Sequence, residues 1–409
     1  MCPTFCPAGS IDIHDTIFAA IIERDSSFRG YVPSYQAEAM TAADVPGVVE
    51  SRAFFATDTM FRRVTPKLGD TTTVPISVDS TRVRFVIVRR PKNTTNLRLR
   101  LYQLPTTVDS TSDFASLDSY FNGPLVDSLN VSDLLALPAI GDTQTIRLWG
   151  DSIRVDTAGH VLQISRVDSS LAVYFNLDSL QAPLSDPDTG RLAFGVRVAA
   201  DSLASVTLGT TESGGNAPLV RRFLHYTIPD TVSATPDSVV HTDRALANRF
   251  DNFVFTPPTP PSDSNLAVGG VPSARSLLRV AMPAFLHDSI DVVRATLVLV
   301  PVNAVQGAPS DSFKIEAHAL AADLGAKSPL SSLAGSKIIH IGSPDTVNIE
   351  LTTLVRSWSL DTTLTTAFIL GQVPEATSYT EVRFYSSRAP AYRPALHVTY
   401  VKRFRFGEP

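Results

Sequence analysis

Apolar side chains recur at every second position in several stretches of the chain, most clearly in residues 82–90 and 97–104. A period of two is typical of a β-strand with one buried face. Asp-Ser dipeptides and 29 prolines interrupt the apolar runs, and such residues favour turns. The pattern predicts an all-β protein of short antiparallel strands, with a hairpin turn at residues 93–96.

One segment of the chain occurs twice. Residues 47–55 and 270–278 both read glycine, a loop, arginine, a small residue and two bulky apolar residues. Further on, residues 173–180 align with residues 347–354 without a gap. The repeat predicts two copies of one β-module, and a duplicated module without catalytic residues is typical of binding or structural proteins.

The repeat also predicts where the domains begin and end. The predicted segments are an N-terminal tail (1–10), a first β-domain (11–230) with an insertion at about 106–165, a linker (231–245), a second β-domain (246–403) and a C-terminal tail (404–409). Strands of the second domain are predicted at residues 274–280, 294–300, 313–320, 346–351, 366–370, 381–385 and 395–401.

The second half contains segments that follow the order of a known family: residues 273–280, 293–300, 349–358, and 384–388 with 393–400. In these segments it resembles the DNRLRE family of bacterial extracellular modules, which is related to a class of carbohydrate-binding modules. The first half is similar over a shorter stretch. The resemblance implies two tandem jelly-roll-type antiparallel β-sandwiches in a secreted or surface protein, where such modules act as binding or spacer domains.

Composition narrows the class of protein further. Of the 409 residues, 44% are hydrophobic and 18% charged, and the net charge is −5. These values are typical of a globular chain and argue against a nucleic-acid partner. No apolar run approaches the roughly 18–20 residues that a transmembrane helix needs, so no transmembrane segment is predicted.

The two cysteines, Cys2 and Cys6, both lie near the N-terminus. Three interpretations are open: unmodified thiols in a tail, a local disulfide, or acylation of Cys2 as a lipid anchor. No apolar segment precedes Cys2 in the sequence. The family resemblance, rather than the N-terminus, implies a periplasmic, cell-surface or extracellular location.

The sequence offers little catalytic chemistry. Asp188 begins an Asp-Thr-Gly triplet, but a polar turn surrounds it. Asp186 and Asp188 are candidate Ca²⁺ ligands, with an aspartate-stabilised turn as the alternative. Glu316 and His318 share one strand face, but further ligands are not evident in the sequence. We therefore expect no enzyme, no cofactor and no metal site, and leave the Ca²⁺ question open.

Aromatic residues are the candidates for sugar binding, because exposed rings stack on pyranose rings. Trp149, Tyr385 and Tyr392 are the candidate platforms. Trp358 falls at a position where the family keeps an apolar residue, so we expect it in the core of the second domain.

The most unusual predicted surface is basic. Arg82, Arg84, Arg98 and Arg100 alternate with apolar residues, so we expect them on the outward face of two adjacent strands. Like charges across a sheet are destabilising, and either internal carboxylates or an anionic partner must neutralise them. The C-terminal residues Lys402, Arg403, Phe404 and Phe406 are a second basic stretch, with two aromatic rings, and are further candidates for partner binding.

These features predict a non-catalytic extracytoplasmic protein with a structural or interaction function. The leading hypothesis is an accessory or scaffold subunit that docks on a protein partner in a larger cell-envelope or membrane complex. The alternative is a carbohydrate-binding module or surface adhesin with a polysaccharide partner.

Overall fold

The computed structural model describes residues 12–30, 32–46, 49–66, 72–90, 94–132, 144–148, 151–155, 161–164, 171–177, 190–228, 238–256, 263–305 and 312–402. Most of these residues lie in antiparallel β-sheets. The predicted all-β class is therefore confirmed.

The strands, in chain order, are β1 (Ile13–Phe18), β2 (Ile22–Arg29), β3 (Ala39–Val45), β4 (Val49–Thr57), β5 (Arg63–Val64), β6 (Val74–Pro75), β7 (Ser77–Arg89), β8 (Arg98–Gln103), β9 (Leu125–Asn130), β10 (Gln144–Leu148), β11 (Asp151–Val155), β12 (Val161–Ile164), β13 (Leu171–Leu177), β14 (Ala193–Ala199), β15 (Ala204–Gly209), β16 (Leu219–Ile228), β17 (Ser238–Leu246), β18 (Asn248–Phe255), β19 (Leu266–Gly269), β20 (Ala274–Val280), β21 (Ile290–Leu299), β22 (Ser312–Leu320), β23 (Leu330–His340), β24 (Val347–Glu350), β25 (Ala367–Val373), β26 (Glu381–Phe384) and β27 (Ala395–Lys402). The α-helices are α1 (Phe114–Phe121), α2 (Phe285–Asp288) and α3 (Thr352–Leu360). Short 3-10 helices span Ser34–Gln36, Thr211–Asn216 and Gly325–Lys327.

The chain divides into two units, and each unit takes strands from more than one part of the sequence. Among the described residues, unit I comprises residues 32–256 and 376–378, and unit II comprises residues 12–30, 263–375 and 379–402. Unit II therefore includes β1 and β2, whereas β17 and β18 belong to unit I.

This division differs from the boundaries expected from the repeat. The first domain was expected to begin near residue 11, yet residues 12–30 lie in unit II. Strand β17 occupies much of the expected linker at 231–245, and the second domain does not begin at residue 246. The repeat identifies similar segments but does not show which of them pair, because the backbone groups of almost any residue can form the hydrogen bonds between strands.

Unit II is a β-sandwich of two antiparallel sheets. One sheet has the order β1-β27-β21-β24, and the other has the order β23-β22-β25-β20-β19-β26, with β2 beside β20. Alternate residues of both sheets face one shared core, for example Leu297 and Val398 from the first sheet and Leu278 and Leu370 from the second. Burial of one face of each sheet is the main stabilising contribution in such a fold.

Unit I has one large branched sheet. Its main path is β10-β11-β12-β13-β7-β15-β3-β4-β14-β8-β9, with β16 and β17 joined at β7 and β18 joined at β4. Strand β7 is 13 residues long and pairs with β13, β15 and β16. Four buried phenylalanines stack edge-on or tilted in the core, with ring centroids 5.4–6.2 Å apart: Phe55, Phe85, Phe175 and Phe194.

The predicted insertion has a counterpart in this sheet. Strands β10, β11 and β12 lie between β9 and β13, whereas β24 directly follows β23 in unit II. Helix α1 begins after Asp113, whose carboxylate accepts the Ser116 backbone N–H at 2.8 Å. Its buried face packs Phe121 against Tyr102, with ring centroids 5.7 Å apart.

The strand predictions for the second half are confirmed in position, because β20, β21, β22, β24, β25, β26 and β27 each overlap a predicted strand. The predicted hairpin at residues 93–96 is wrong, since β7 and β8 do not pair with each other. Alternation specifies the buried face of each strand but carries no information about its neighbour.

Several strand pairs of the two units correspond, register included. Phe194 of β14 lies opposite Phe55 of β4, and Phe368 of β25 lies opposite Leu278 of β20. These are positions that the sequence repeat aligns. The pairs β13–β7 and β24–β21, and β14–β8 and β25–β22, also correspond in register. At these strand pairs the two units have the same backbone hydrogen-bonding register.

The β-bulges correspond as well. In the β16–β7 ladder, Asp79 is the extra residue between two paired positions. In the β27–β21 ladder, Val293 is the extra residue at the matching place. A bulge bends a strand and redirects one side chain, so both units present a redirected side chain at this point.

The strand pairs β1–β2 and β17–β18 occupy corresponding places. Asp251 of β18 lies opposite Phe55, and Asp25 of β2 lies opposite Leu278. Likewise, β17 pairs with β16, and β1 pairs with β27. In unit I the pair β17–β18 directly follows β16 in the chain. In unit II the corresponding strands, β1 and β2, come from the N-terminal segment.

A buried aspartate anchors each of these strand pairs. Asp251 accepts the Thr211 backbone N–H at 3.0 Å, and Asp25 accepts the backbone N–H of Ser387. Both side chains lie in buried positions. Burial raises the pKa of Asp251 above the ordinary value for aspartate, because desolvation disfavours the charged form. The same polar contact therefore ties the added strands to a turn in both units.

Trp358 lies in the core of unit II, as the sequence predicted. It is 2% exposed and sits on α3 beside Leu354 and Val355. The helix itself was not predicted, because its three buried apolar positions are too few to show a helical period. Replacing a buried aromatic side chain with alanine leaves a cavity as well as losing burial.

We expect Trp358→Ala to lower the free energy of unfolding of unit II by about 3–5 kcal/mol. Leu360 on the same helix is 73% exposed, so Leu360→Ala is the matched control and should change little. Denaturant unfolding followed by circular dichroism measures both. Equal stability of the two variants would contradict the core position of Trp358.

We also expect β1 and β2 to complete unit II from the other end of the chain. Ile13 of β1 lies opposite Val401 of β27, so the start of β1 is next to the end of β27. A chain without residues 1–30, with residues 12–30 placed after Lys402 through a copy of residues 229–237, should therefore keep the wild-type melting temperature.

The control for this relocation is the chain that simply lacks residues 1–30. It leaves edges of β20 and β27 unpaired and should unfold at a lower temperature, because unpaired backbone groups and exposed apolar surface are destabilising. Calorimetry compares the three chains. A relocated chain that melts like the truncated one would contradict this arrangement.

Candidate functional site

The four arginines expected on one surface lie in two separate places. Strands β15, β3, β4 and β14 lie between β7, which carries Arg82 and Arg84, and β8, which carries Arg98 and Arg100. The expectation that these two strands are adjacent was wrong, because β7 and β8 do not pair with each other. The structure therefore gives two arginine pairs in place of one patch.

Arg82 and Arg84 have partners within unit I. The Arg84 Nη2 atom donates to the backbone oxygens of Gly215 and Ala217, both at 3.1 Å. The Arg82 guanidinium carbon lies 4.9 Å from the centroid of the Phe223 ring. Burial lowers the pKa of Arg82 below the ordinary value for arginine. These contacts are structural, since backbone carbonyls and a ring face replace the expected carboxylates.

Arg98 and Arg100 remain exposed on β8. Across the ladder, Arg100 lies opposite Arg197 of β14, which pairs with Glu50 at 2.9 Å. Within the described part of the chain, no hydrogen bond or ion pair engages the side chains of Arg98 and Arg100. They are the part of the predicted basic surface that is open to a partner. Lys402, at the end of β27, is also exposed.

Several predicted site residues lie outside the described residues: Cys2, Cys6, Trp149, Asp186, Asp188, Arg403, Phe404 and Phe406. The predicted sugar platform is represented by Tyr385 and Tyr392. Their ring centroids are 5.4 Å apart with an interplanar angle of 39°, and Tyr392 is exposed. The two rings form a small tilted aromatic surface on unit II.

The arginines of the sequence repeat are held in ion pairs. Arg275 binds Glu375 through two hydrogen bonds of 2.6 and 2.7 Å. Arg52 is buried, lies 2.8 Å from Glu50 and 2.8 Å from Asp118, and covers the ring of Phe114 at 4.1 Å. The repeat aligns these two arginines with each other. Their carboxylate partners do not lie at aligned positions, so the repeat did not predict the ion pairs.

A group of three metal-ligating side chains lies on neighbouring strands of unit I. Asp79 is on β7, His225 on β16 and His241 on β17, and the two histidines are directly opposite each other. His225 Nδ1 is 2.5 Å from Asp79 Oδ1, and His241 Nδ1 is 3.6 Å from Asp79 Oδ2. The imidazole centroids are 5.7 Å apart. One candidate atom from each of the three side chains lies within 4.8 Å of the others.

Sequence reasoning missed this group, to which we refer as the Asp79 cluster. Asp79 is far from the two histidines in sequence, and the histidines do not have the short spacing that marks metal motifs. Only the pairing of β7, β16 and β17 brings them together. If β16 and β17 had been predicted as paired strands, aligning them would have placed His225 opposite His241. Nothing in the sequence would have added Asp79.

Other histidine and acid pairs have a simpler arrangement. His318 Nε2 lies 2.7 Å from Glu316, which also binds Lys314. Asp15 accepts hydrogen bonds of 2.8 Å from Thr399 and from His397, and these bonds lower the pKa of Asp15. Each of these pairs offers one imidazole only. The Asp79 cluster is the described group in which two imidazoles face one carboxylate.

An apolar cleft of about 290 Å³ lies elsewhere in unit I. Its lining includes Met60, Phe61, Leu224 and Tyr226. Leu224 and Tyr226 flank His225 along β16, so their side chains point to the opposite face of the strand from the Asp79 cluster. The cleft and the cluster are thus separate features.

Comparison with protein-family models, with curated proteins and with solved structures gave no match. The resemblance to the DNRLRE family therefore stays a prediction. No helix in the described segments is long and apolar enough to cross a membrane.

We expect the Arg275–Glu375 pair to be structural. Both side chains are largely buried, so Arg275→Leu leaves an unpaired carboxylate and should cost about 3–5 kcal/mol of stability. The double variant Arg275→Leu/Glu375→Leu should recover most of this loss, because neither charge is then buried alone. Denaturant unfolding of the two variants and wild type measures the difference. An unaffected single variant would contradict the structural assignment.

Proposed function

We propose that the protein is a non-catalytic, extracytoplasmic accessory or scaffold subunit that docks on a larger cell-envelope or membrane-protein assembly. The distribution of charged residues supports this proposal. The charged groups at repeated positions lie in contacts that hold strands or loops: Arg52, Asp25 and Asp251 are buried, and Arg275 is largely buried. This use of charge supports a framework whose interactions occur at its surface.

Arg98 and Arg100 are the proposed docking residues. They extend from neighbouring same-face positions of β8 and are exposed, while the nearby Arg197 is already paired with Glu50. Arginine binds carboxylates and phosphates through a planar fork of donors. A partner with an acidic protein face would neutralise both charges. Arg98 and Arg100 are two exposed cations, and their proposed role does not depend on Arg403, Phe404 and Phe406, which lie outside the described residues.

We expect Arg98→Gln/Arg100→Gln to keep the wild-type melting temperature and to lose partner recovery from native membranes. In wild type, recovery should fall as salt rises, because exposed ionic contacts are screened over roughly 8–10 Å near physiological ionic strength. A pull-down at two salt concentrations, in mild detergent, measures this.

The control is Arg24→Gln/Arg294→Gln, which removes the same charge from exposed arginines that already have carboxylate neighbours. This variant should recover partners as wild type does. Equal, salt-insensitive recovery by all three proteins would exclude Arg98 and Arg100 as the docking residues.

A carbohydrate-binding module is the second candidate function, and the paired rings of Tyr385 and Tyr392 favour it. Exposed aromatic rings are the usual stacking surface for sugars. On a glycan array, tight binding to one polysaccharide that is lost in Tyr392→Ala would support this function over docking. Its absence, together with salt-sensitive recovery of membrane proteins, would support the scaffold.

A further inference from the structure

The Asp79 cluster stands on a backbone frame that occurs in both units. Asp79 is the extra residue of the β7 bulge, and His225 and His241 form a directly opposed pair on β16 and β17. The corresponding positions of unit II follow from its register. They are Val293 in the β21 bulge, Val401 of β27 and Ile13 of β1.

The frame itself does not require polar residues at these places. In unit II the three positions are all aliphatic, and Val293 and Ile13 are 47% and 63% exposed. The same bulge and the same ladder therefore form with apolar side chains. The aspartate and two histidines of unit I are not explained by folding, and they converge on one point.

A hydrogen bond between one aspartate and one histidine does not account for the second imidazole of the Asp79 cluster. Asp15 with His397 in unit II shows that simpler case, in which one imidazole and the Thr399 hydroxyl share one carboxylate oxygen. In the Asp79 cluster a separate imidazole lies near each carboxylate oxygen, at 2.5 and 3.6 Å. Two imidazoles held at one carboxylate would repel each other when protonated and would be stabilised by a shared cation when neutral.

We propose that Asp79, His225 and His241 bind a divalent transition-metal ion of the zinc type, through one carboxylate oxygen and two imidazole nitrogens. Imidazole suits zinc and its neighbours in the first transition row, and a carboxylate completes a three-residue ligand set. The ion takes the place of the hydrogen bond between Asp79 and His225, and the neutral His225 ring then carries its proton on the nitrogen that does not bind the ion. Zinc–nitrogen bonds of about 2.0–2.1 Å place the ligand atoms of a tetrahedral site roughly 3.3 Å apart, which small side-chain rotations reach from the observed distances.

The remaining coordination position faces solvent. The side chains of Asp79 and His225 are each 36% exposed, and that of His241 is 72% exposed. Water fills the open position in the isolated protein. The site is independent of the proposed docking residues, which lie on another strand of unit I.

Zinc titration of the full chain by calorimetry tests the proposal, with Cys2→Ser and Cys6→Ser in every protein so that thiols do not compete. We expect one zinc ion per chain and a rise in the melting temperature of unit I with zinc, because an ion that binds only the folded state stabilises it. Cobalt in place of zinc should give the weak visible bands of nitrogen and oxygen ligation.

His225→Gln and His241→Gln should each weaken zinc binding at least tenfold, since loss of even an outer-shell partner costs about 10- to 100-fold. His397→Gln removes the imidazole of the simpler pair in unit II and should bind zinc as the parent does. His225→Val/His241→Ile places the unit II residues in the same frame. It should fold with the parent's melting temperature in the absence of metal and should not bind.

Two results would overturn the proposal. One is a parent protein whose melting temperature and calorimetric signal do not respond to zinc. The other is zinc affinity that is unchanged in His225→Gln and His241→Gln, whatever the affinity of His397→Gln. These measurements use the isolated chain, so their result does not depend on whether Arg98 and Arg100 are needed to bind a partner.

Discussion

The pairing of strand edges is the constraint on which the rest of the structure depends. Without β1 and β2, strands β27 and β20 of unit II would each present a row of unpaired N–H and C=O groups. Such edges are costly when buried and prone to wrong pairing when exposed. The N-terminal strands pair these edges, and Asp25 fixes them through the Ser387 backbone. Unit I meets the same need with β17, β18 and Asp251.

Because β1 pairs with β27, unit II contains strands from both ends of the chain. Unit I obtains its added strands from the segment that follows β16, so local sequence suffices. Unit II includes a segment from the opposite end of the chain, so its completion requires a contact of very large sequence separation, which carries a higher loop-closure cost. The two halves are therefore similar in pairing scheme and different in how their strands become available.

A shared backbone scheme also shows which residues the fold needs and which it merely allows. Buried positions keep the same roles in both units, as with Asp25 and Asp251 or with Phe55 and Leu278. Surface positions diverge. At the bulge, unit I has Asp79 with two histidines, and unit II has Val293 with Val401 and Ile13. Divergence at matched exposed positions is where a function specific to one unit can be sought, because packing does not select those side chains.

The sequence by itself determined the β class, the duplicated segments, the burial of Trp358 and the outward face of Arg98 and Arg100. The burial of Trp358 was expected from the family resemblance, and the other features follow from local periodicity or from similarity between segments, which a single chain displays directly. Only the tertiary structure decided that β7 and β8 are far apart, that the N-terminal strands complete unit II, and that Asp79 meets His225 and His241. Every residue but proline can supply both backbone groups of a strand ladder, so the side-chain pattern of one strand does not specify which strand lies beside it.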